Sequence, residues 1–109
     1  MKLLRLGNTG QEVPAILDKS GKYRNISSHV KDLNPENLNF EKINKMKGIN
    51  LEELPEISSS ERIASCISRP GKFIAIGLNY SDHAKESGME VPPEPIIFFK
   101  ATSAIVGPN

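Results

Sequence analysis

Phe73-Ile74-Ala75-Ile76-Gly77-Leu78-Asn79-Tyr80-Ser81-Asp82-His83-Ala84-Lys85-Glu86 is the stretch on which the fold reading turns. Its first half is a nearly continuous apolar run, which suits a strand covered on both faces. Its second half becomes polar at Asn79, offers Ser81 as a helix cap and leaves through Gly88, so the order expected is strand, turn, short helix. His83 and Glu86 stand three residues apart in that helix and therefore share one side of it. A carboxylate beside an imidazole fixes its tautomer and raises its basicity, which a general base acting on water needs. By spacing alone such a pair is common on solvated helices. Its position just after a hydrophobic strand makes it a candidate, because catalytic groups commonly sit on loops held by a rigid scaffold.

Toward the carboxyl end, Val91-Pro92-Pro93-Glu94-Pro95 excludes a regular element, since proline removes donors and restricts the residue before it. Ile96 to Phe99 is then a further strand, followed by Lys100-Ala101-Thr102-Ser103. Lys100 could present a cation to an anionic substrate, although a lysine where an apolar strand meets water is the commoner case. Asn79 and Ser103 suit turns at strand ends, and Tyr80 suits a half-buried site. His29 has no partner in view and takes no role.

Toward the amino end, Leu3 to Leu6, Val13 to Leu17 and Lys22 to Ser27 read as three short strands in meander order, separated by Gly7-Asn8-Thr9-Gly10 and Asp18-Lys19-Ser20-Gly21. Pro14 suits an edge strand or a strand start. A helix begins at Asn34-Pro35 or at Asn39; Phe40, Ile43 and Met46 give it an apolar packing stripe, and Gly48 stops it. Asn50 with Glu53 suggests one more capped turn before Pro55. Ser58-Ser59-Ser60 is a short polar linker, and from Ile63 to Ile67 apolar and small polar residues alternate. The single cysteine, Cys66, reads as a small apolar strand residue.

Composition narrows the function classes. A domain of roughly 100 residues buries only about two-thirds of its unfolded surface, so 109 residues allow one modest core. Fourteen Lys and Arg against thirteen Asp and Glu give a net charge of +1, spread evenly along the chain. That balance lacks the basic footprint of phosphate-backbone binding, so neither nucleic acid nor an anionic membrane is an expected partner. No apolar stretch approaches the roughly 20 residues of a membrane span, and no secretory signal opens the chain; the expectation is a cytoplasmic protein. One cysteine excludes a disulfide scaffold, and no Gly-rich phosphate loop, nucleophile elbow or zinc spacing occurs.

The run from Gly71 through His83-Ala84-Lys85-Glu86 to Val91-Pro92-Pro93-Glu94-Pro95-Ile96-Ile97-Phe98-Phe99-Lys100-Ala101-Thr102-Ser103-Ala104-Ile105-Val106-Gly107-Pro108 resembles the opening of the catalytic domain of the fumarylacetoacetate hydrolase family. Residues 1–70 are similar to the small amino-terminal domain of the bacterial branch that holds 2,4-diketo-3-deoxy-sugar-acid hydrolases and proteins labelled ureidoglycolate lyase. The resemblance implies an α+β fold: a small antiparallel strand-plus-helix domain over 1–70, then the start of a mixed β-sheet catalytic domain over 71–109. It implies a homodimeric enzyme when full length, acting on a small anionic 2-oxo acid such as an acylpyruvate, most often by hydrolysing a carbon-carbon bond. On that resemblance His83 is the base that activates water and Glu86 its orienter, while Asn79, Tyr80, Lys100 and Ser103 line the substrate pocket. Mg²⁺ or Mn²⁺ is the implied cofactor, with its Glu-x-Glu and Asp ligands expected downstream; no metal ligand is assigned in this chain. Leu78 stands where some relatives carry a basic residue, and Ala101 replaces a common proline. A lyase, isomerase or decarboxylase on the same scaffold is the alternative enzyme, and a non-catalytic binding module the alternative of another class.

Overall fold

The computed structural model describes residues 1–108. Two compact units divide it: Met1–Pro70 together with the segment beginning at Ile105, and Gly71–Ala104. Antiparallel strands in two sheets with a few short helices make the class α+β.

In the first unit, β1 (Lys2–Leu6), β2 (Val13–Leu17), β3 (Tyr23–Asn25) and β4 (Glu56–Ile57) form an antiparallel sheet in the order β1-β2-β3-β4. The first three are the expected meander, and β4 is a two-residue addition. The β2–β3 turn is built by Asp18, whose Oδ1 accepts from the Ser20 amide (2.8 Å), the Ser20 hydroxyl (2.7 Å) and the Lys22 amide (2.9 Å). Gly21 completes the turn at φ +83°, a conformation that costs glycine nothing. β2 is an interior strand despite Pro14. The residue opposite Pro14 is Arg5, whose carbonyl turns away to accept from the Ala64 amide at 2.9 Å, so β1 asks no donor of the proline.

Helix α1 (Phe40–Lys47) starts at the second of the two expected positions, where Asn39 Oδ1 caps the Lys42 amide at 2.9 Å. Asn34 instead makes a tight turn, its side chain accepting from the Asn37 amide at 3.1 Å. Of the expected packing stripe, Met46 is buried and Ile43 half-buried, but Phe40 is 89% exposed. Phe40 opens the first turn about 120° round the helix from Met46, away from the core. Met46 packs with Ile16, Ile26 and Leu33 to form the core, flanked by Leu3, Val30, Leu38, Ile49, Leu51 and Leu54.

After β4 the chain returns along β1. The Gly7 amide bonds the Arg62 carbonyl at 2.9 Å, and Ile63 bridges Leu6. This is an isolated bridge, not a strand through Ile67, and Cys66 lies exposed in a bend. Beyond Ala64, whose amide bonds the Arg5 carbonyl at 2.9 Å, the segment leaves the edge of β1 and makes no further bridge among the described residues. Gly107 packs against this same segment: a Cβ on it would stand 2.3 Å from the Ile63 carbonyl oxygen.

In the second unit, β5 (Phe73–Gly77) and β6 (Ile96–Lys100) form a two-stranded antiparallel sheet, with α2 (Ser81–Glu86) in the connection between them. β5 is not covered on both faces: Ile74 and Ile76 are exposed, since β6 lies at its edge and no described element packs over the face they share. No helix among the described residues is long and apolar enough to cross a membrane.

Candidate functional site

The register of β5 against β6 determines which candidate residues can meet. Gly77 pairs with Ile96 at one end of the ladder and Phe73 with Lys100 at the other. Leu78, Asn79, Tyr80 and α2 follow Gly77 and so leave from the first end. Lys100 lies four residue pairs away, roughly 13 Å along a strand, and Ser103 follows it in the short 3₁₀ turn Thr102–Ala104.

Leu78 turns the chain out of β5 at φ +46°, a left-handed conformation that is uncommon for a branched apolar residue. Tyr80 then occupies the N-cap of α2 in an extended conformation, without a side-chain cap; Ser81, expected as the cap, is instead the first helical residue. The cap falls one residue early because the Tyr80 carbonyl already accepts the Ala84 amide at 3.2 Å. Gly88, at φ +66°, lets the chain leave the helix as expected.

Ala84 is the one buried residue of α2. Burying that side leaves His83 and Glu86 both exposed. They sit three apart on a single helical turn, close enough for their side chains to meet, although no hydrogen bond or ion pair joins them among the described residues. The arrangement offers an accessible imidazole with a carboxylate within one helical turn.

Asn79 lines a recess of about 440 Å³ with the end of β5 (Ile76, Gly77, Leu78) and the loop Val91–Pro95. Glu94 lines it too, on a loop whose path Pro92, Pro93 and Pro95 restrict. Tyr80 is exposed near the same end. The Lys100 ammonium stands 5.9 Å from the centroid of the Phe73 ring, a cation–π distance. Thus Asn79 and Tyr80 leave β5 at the Gly77 end of the ladder, with His83 and Glu86 following in α2, while Lys100 pairs at the Phe73 end and Ser103 follows it.

Among the described residues, no three His, Cys, Asp or Glu side chains cluster to hold a metal ion. Hard divalent cations need several oxygen ligands, so the residues present do not by themselves fit Mg²⁺ or Mn²⁺.

No protein-family model matches the chain. All 109 residues align with curated proteins from Burkholderia named as putative hydrolases: identity is 51% to one from Burkholderia ambifaria, 50% to one from Burkholderia lata and 51% to one from Burkholderia cenocepacia. In each case the chain is covered completely and spans 39% of the relative's length. The chain is therefore similar, from end to end, to one part of larger proteins named as hydrolases.

Proposed function

We propose that this chain supplies the water-activating pair of a fumarylacetoacetate-hydrolase-type enzyme that cleaves a carbon-carbon bond in a small acylpyruvate or 2,4-diketo-3-deoxy acid. The observation that carries the reading is the placement of His83 and Glu86 on one exposed helical turn, reached directly from a hydrophobic strand. The whole-length similarity to proteins named as hydrolases supports it.

In this reading the His83 imidazole takes a proton from water while the Glu86 carboxylate orients the ring. The resulting hydroxide adds to the distal carbonyl carbon of the substrate. The bond from that carbon to the neighbouring methylene then breaks, its electron pair passing to the 2-oxo acid fragment as an enolate, which a proton quenches. The products are a carboxylic acid and a 2-oxo acid, one water consumed per bond broken. Asn79 and Tyr80, at the same end of the sheet, contribute polar contacts to the substrate. A divalent cation, where this chemistry uses one, would take its ligands from polypeptide outside this chain. The complete enzyme works as a cytoplasmic homodimer.

The experiment is a chimera in which this 109-residue chain replaces the matched segment of the Burkholderia ambifaria relative, assayed with acylpyruvates, diketo-deoxy-sugar acids and ureidoglycolate. Loss of acylpyruvate absorbance with stoichiometric release of two acids supports the proposal. Turnover of ureidoglycolate alone would assign the chain to a lyase instead.

A further inference from the structure

The charges of this chain balance along the sequence but not across the fold. Lys2, Lys19, Lys31, Lys42, Lys45 and Lys47, six of the fourteen Lys and Arg residues, line two recesses of the first unit that share Met46 and Ile49. Of the thirteen Asp and Glu, Asp18 alone lines either recess, and Arg24 Nε already donates to it at 2.8 Å.

The recess of about 520 Å³ is the more one-sided of the two. Val30, Met46 and Ile49 form its apolar part, and the same packing that builds the core holds them there. Its polar lining is His29, Lys31, Asn37, Lys42 and Lys45, with no carboxylate among them. Glu41 neutralises Lys45 at 2.8 Å. Lys42 is different: its Nζ donates to the Glu36 carbonyl oxygen and to Asn37 Oδ1, both at 2.9 Å. Both acceptors are neutral, so the ammonium is held in place while its charge stays uncompensated, and one of its three donors is left over. The His29 ring and the Lys31 ammonium have no protein partner among the described residues.

Small-molecule sites are recesses of roughly 300–1,000 Å³ with apolar walls and a few placed polar groups. A cation that is already fixed loses little further freedom on binding, and its hydrogen bond to an anion is stronger than one between neutral groups. We propose that the recess of Val30, Lys31, Lys42 and Met46 binds a small amphipathic anion, a carboxylate or phosphate head group on a short apolar tail. Lys42 and Lys31 take the head, and Val30, Met46 and Ile49 take the tail. The proposal is independent of the hydrolase reading, because the recess belongs to the first unit and His83 and Glu86 to the second.

The probe is octanoate, titrated into the 109-residue chain and into the chimera, with the amide chemical shifts of Val30, Lys42 and Ile49 as the readout. Saturable shifts are expected with a Kd on the order of 1 mM. Octyl phosphate tests the other head group, and the tighter of the two names it. Inorganic phosphate, which lacks the tail, and 1-octanol, which lacks the charge, should each bind at least about tenfold more weakly. Lys42→Gln should weaken octanoate by about tenfold and Lys31→Gln by less, with Tm unchanged in both because the two side chains are exposed. Lys72→Gln, in the second unit, should leave binding as it is. Absence of a saturable shift in the tens of millimolar overturns the proposal, as does phosphate or octanol that matches octanoate, or a Lys42→Gln chain that binds as well as the unsubstituted one. Binding to the chain but not to the chimera overturns it too, since the recess would then be covered in the larger protein. A chain that sediments with phosphatidylglycerol vesicles yet ignores octanoate makes the lysines a lipid-docking face and overturns the small-molecule site.

Discussion

Arg5 Nε donates to Asp32 Oδ1 at 2.7 Å across 27 residues of sequence, joining the first strand to the loop that precedes the helix. The same guanidinium reaches Glu12 Oε2 at 3.3 Å and the Ser65 carbonyl at 3.4 Å, and the Arg5 side chain is only 10% exposed. Removing one member of a buried ionic group leaves the others without compensation, which costs more than the pair contributes net. Arg5→Ala is therefore expected to destabilise by roughly 3 kcal/mol, read from the urea midpoint. Arg5→Met combined with Asp32→Leu should recover part of that loss, since Glu12 retains Arg62 at 3.5 Å. A double variant no better than Arg5→Ala would refute the account.

The acid limb of stability follows from three carboxylates. Burial opposes the charge on Asp32, but hydrogen bonds from Arg5 and Ser68 and the Arg5 charge hold its pKa below the usual range. Burial likewise opposes charge on Glu12 and is outweighed by backbone hydrogen bonds and by Arg5 and Arg62. Asp18 is held lowest, first by the Ser20 hydroxyl, then by the Lys22 amide and Arg24. A carboxylate whose folded pKa is depressed contributes stability that is complete above its unfolded pKa, about 3.9 for Asp and 4.3 for Glu, and lost as pH falls through the folded value. Thermal scans should be flat from about pH 7 to 5 and fall below about pH 4, with Asp18→Asn showing the shallower fall. An equal slope in Asp18→Asn would remove Asp18 from the explanation.

The first unit was largely readable in the sequence. Turn residues punctuate it, and its strands and helix close on one another, so local pattern and final burial agree. Phe40 is the exception: six residues from Met46 it stands about 120° round the helix, at the margin of the stripe and away from the core. The second unit is the reverse case. The apolar run Phe73–Leu78 correctly announced a strand, yet its two-sided burial depends on neighbours that two strands cannot provide. The spacing of His83 and Glu86 was visible at once, whereas the distance between that end of the sheet and Lys100 was not, because it follows from the pairing of Phe73 with Lys100.

Phe40 and Met46 give the contrast a number. Met46, 2% exposed within the core cluster, should cost about 2–5 kcal/mol when changed to alanine. Phe40→Ala, six residues earlier and so about 120° round the helix from Met46, should stay within about 0.5 kcal/mol. Chemical denaturation of both variants measures this directly, and a large loss at Phe40 would mean that its ring is covered in solution.

His83 and Glu86 are both exposed, so substituting them should leave the melting temperature unchanged while altering catalysis. In the chimera, His83→Ala is expected to lower kcat by about 10² to 10⁴, the usual worth of a general base. Glu86→Gln should lower kcat by less than His83→Ala does, because it changes only the group that orients the imidazole. Full activity in His83→Ala would assign the water to another base.

Gly107 offers the sharpest steric test. A Cβ there would lie 2.3 Å from the Ile63 carbonyl oxygen and 2.7 Å from the Cα and carbonyl carbon of Ala64, all backbone atoms that no rotamer change can move aside. Ala64 is held in place by its amide bond to the Arg5 carbonyl at 2.9 Å, so the clash is relieved by displacing the segment from Ile105 onward or by breaking that bond. Gly107→Ala should therefore destabilise by about 1–3 kcal/mol and speed hydrogen exchange at the Ala64 amide. Gly71 provides the control: a Cβ there meets nothing within 4 Å and its backbone is not left-handed. Gly71→Ala should be neutral or stabilising by about 0.4–1 kcal/mol through the unfolded chain. If the two substitutions behave alike, the packing of Gly107 on Ile63 and Ala64 does not hold in solution.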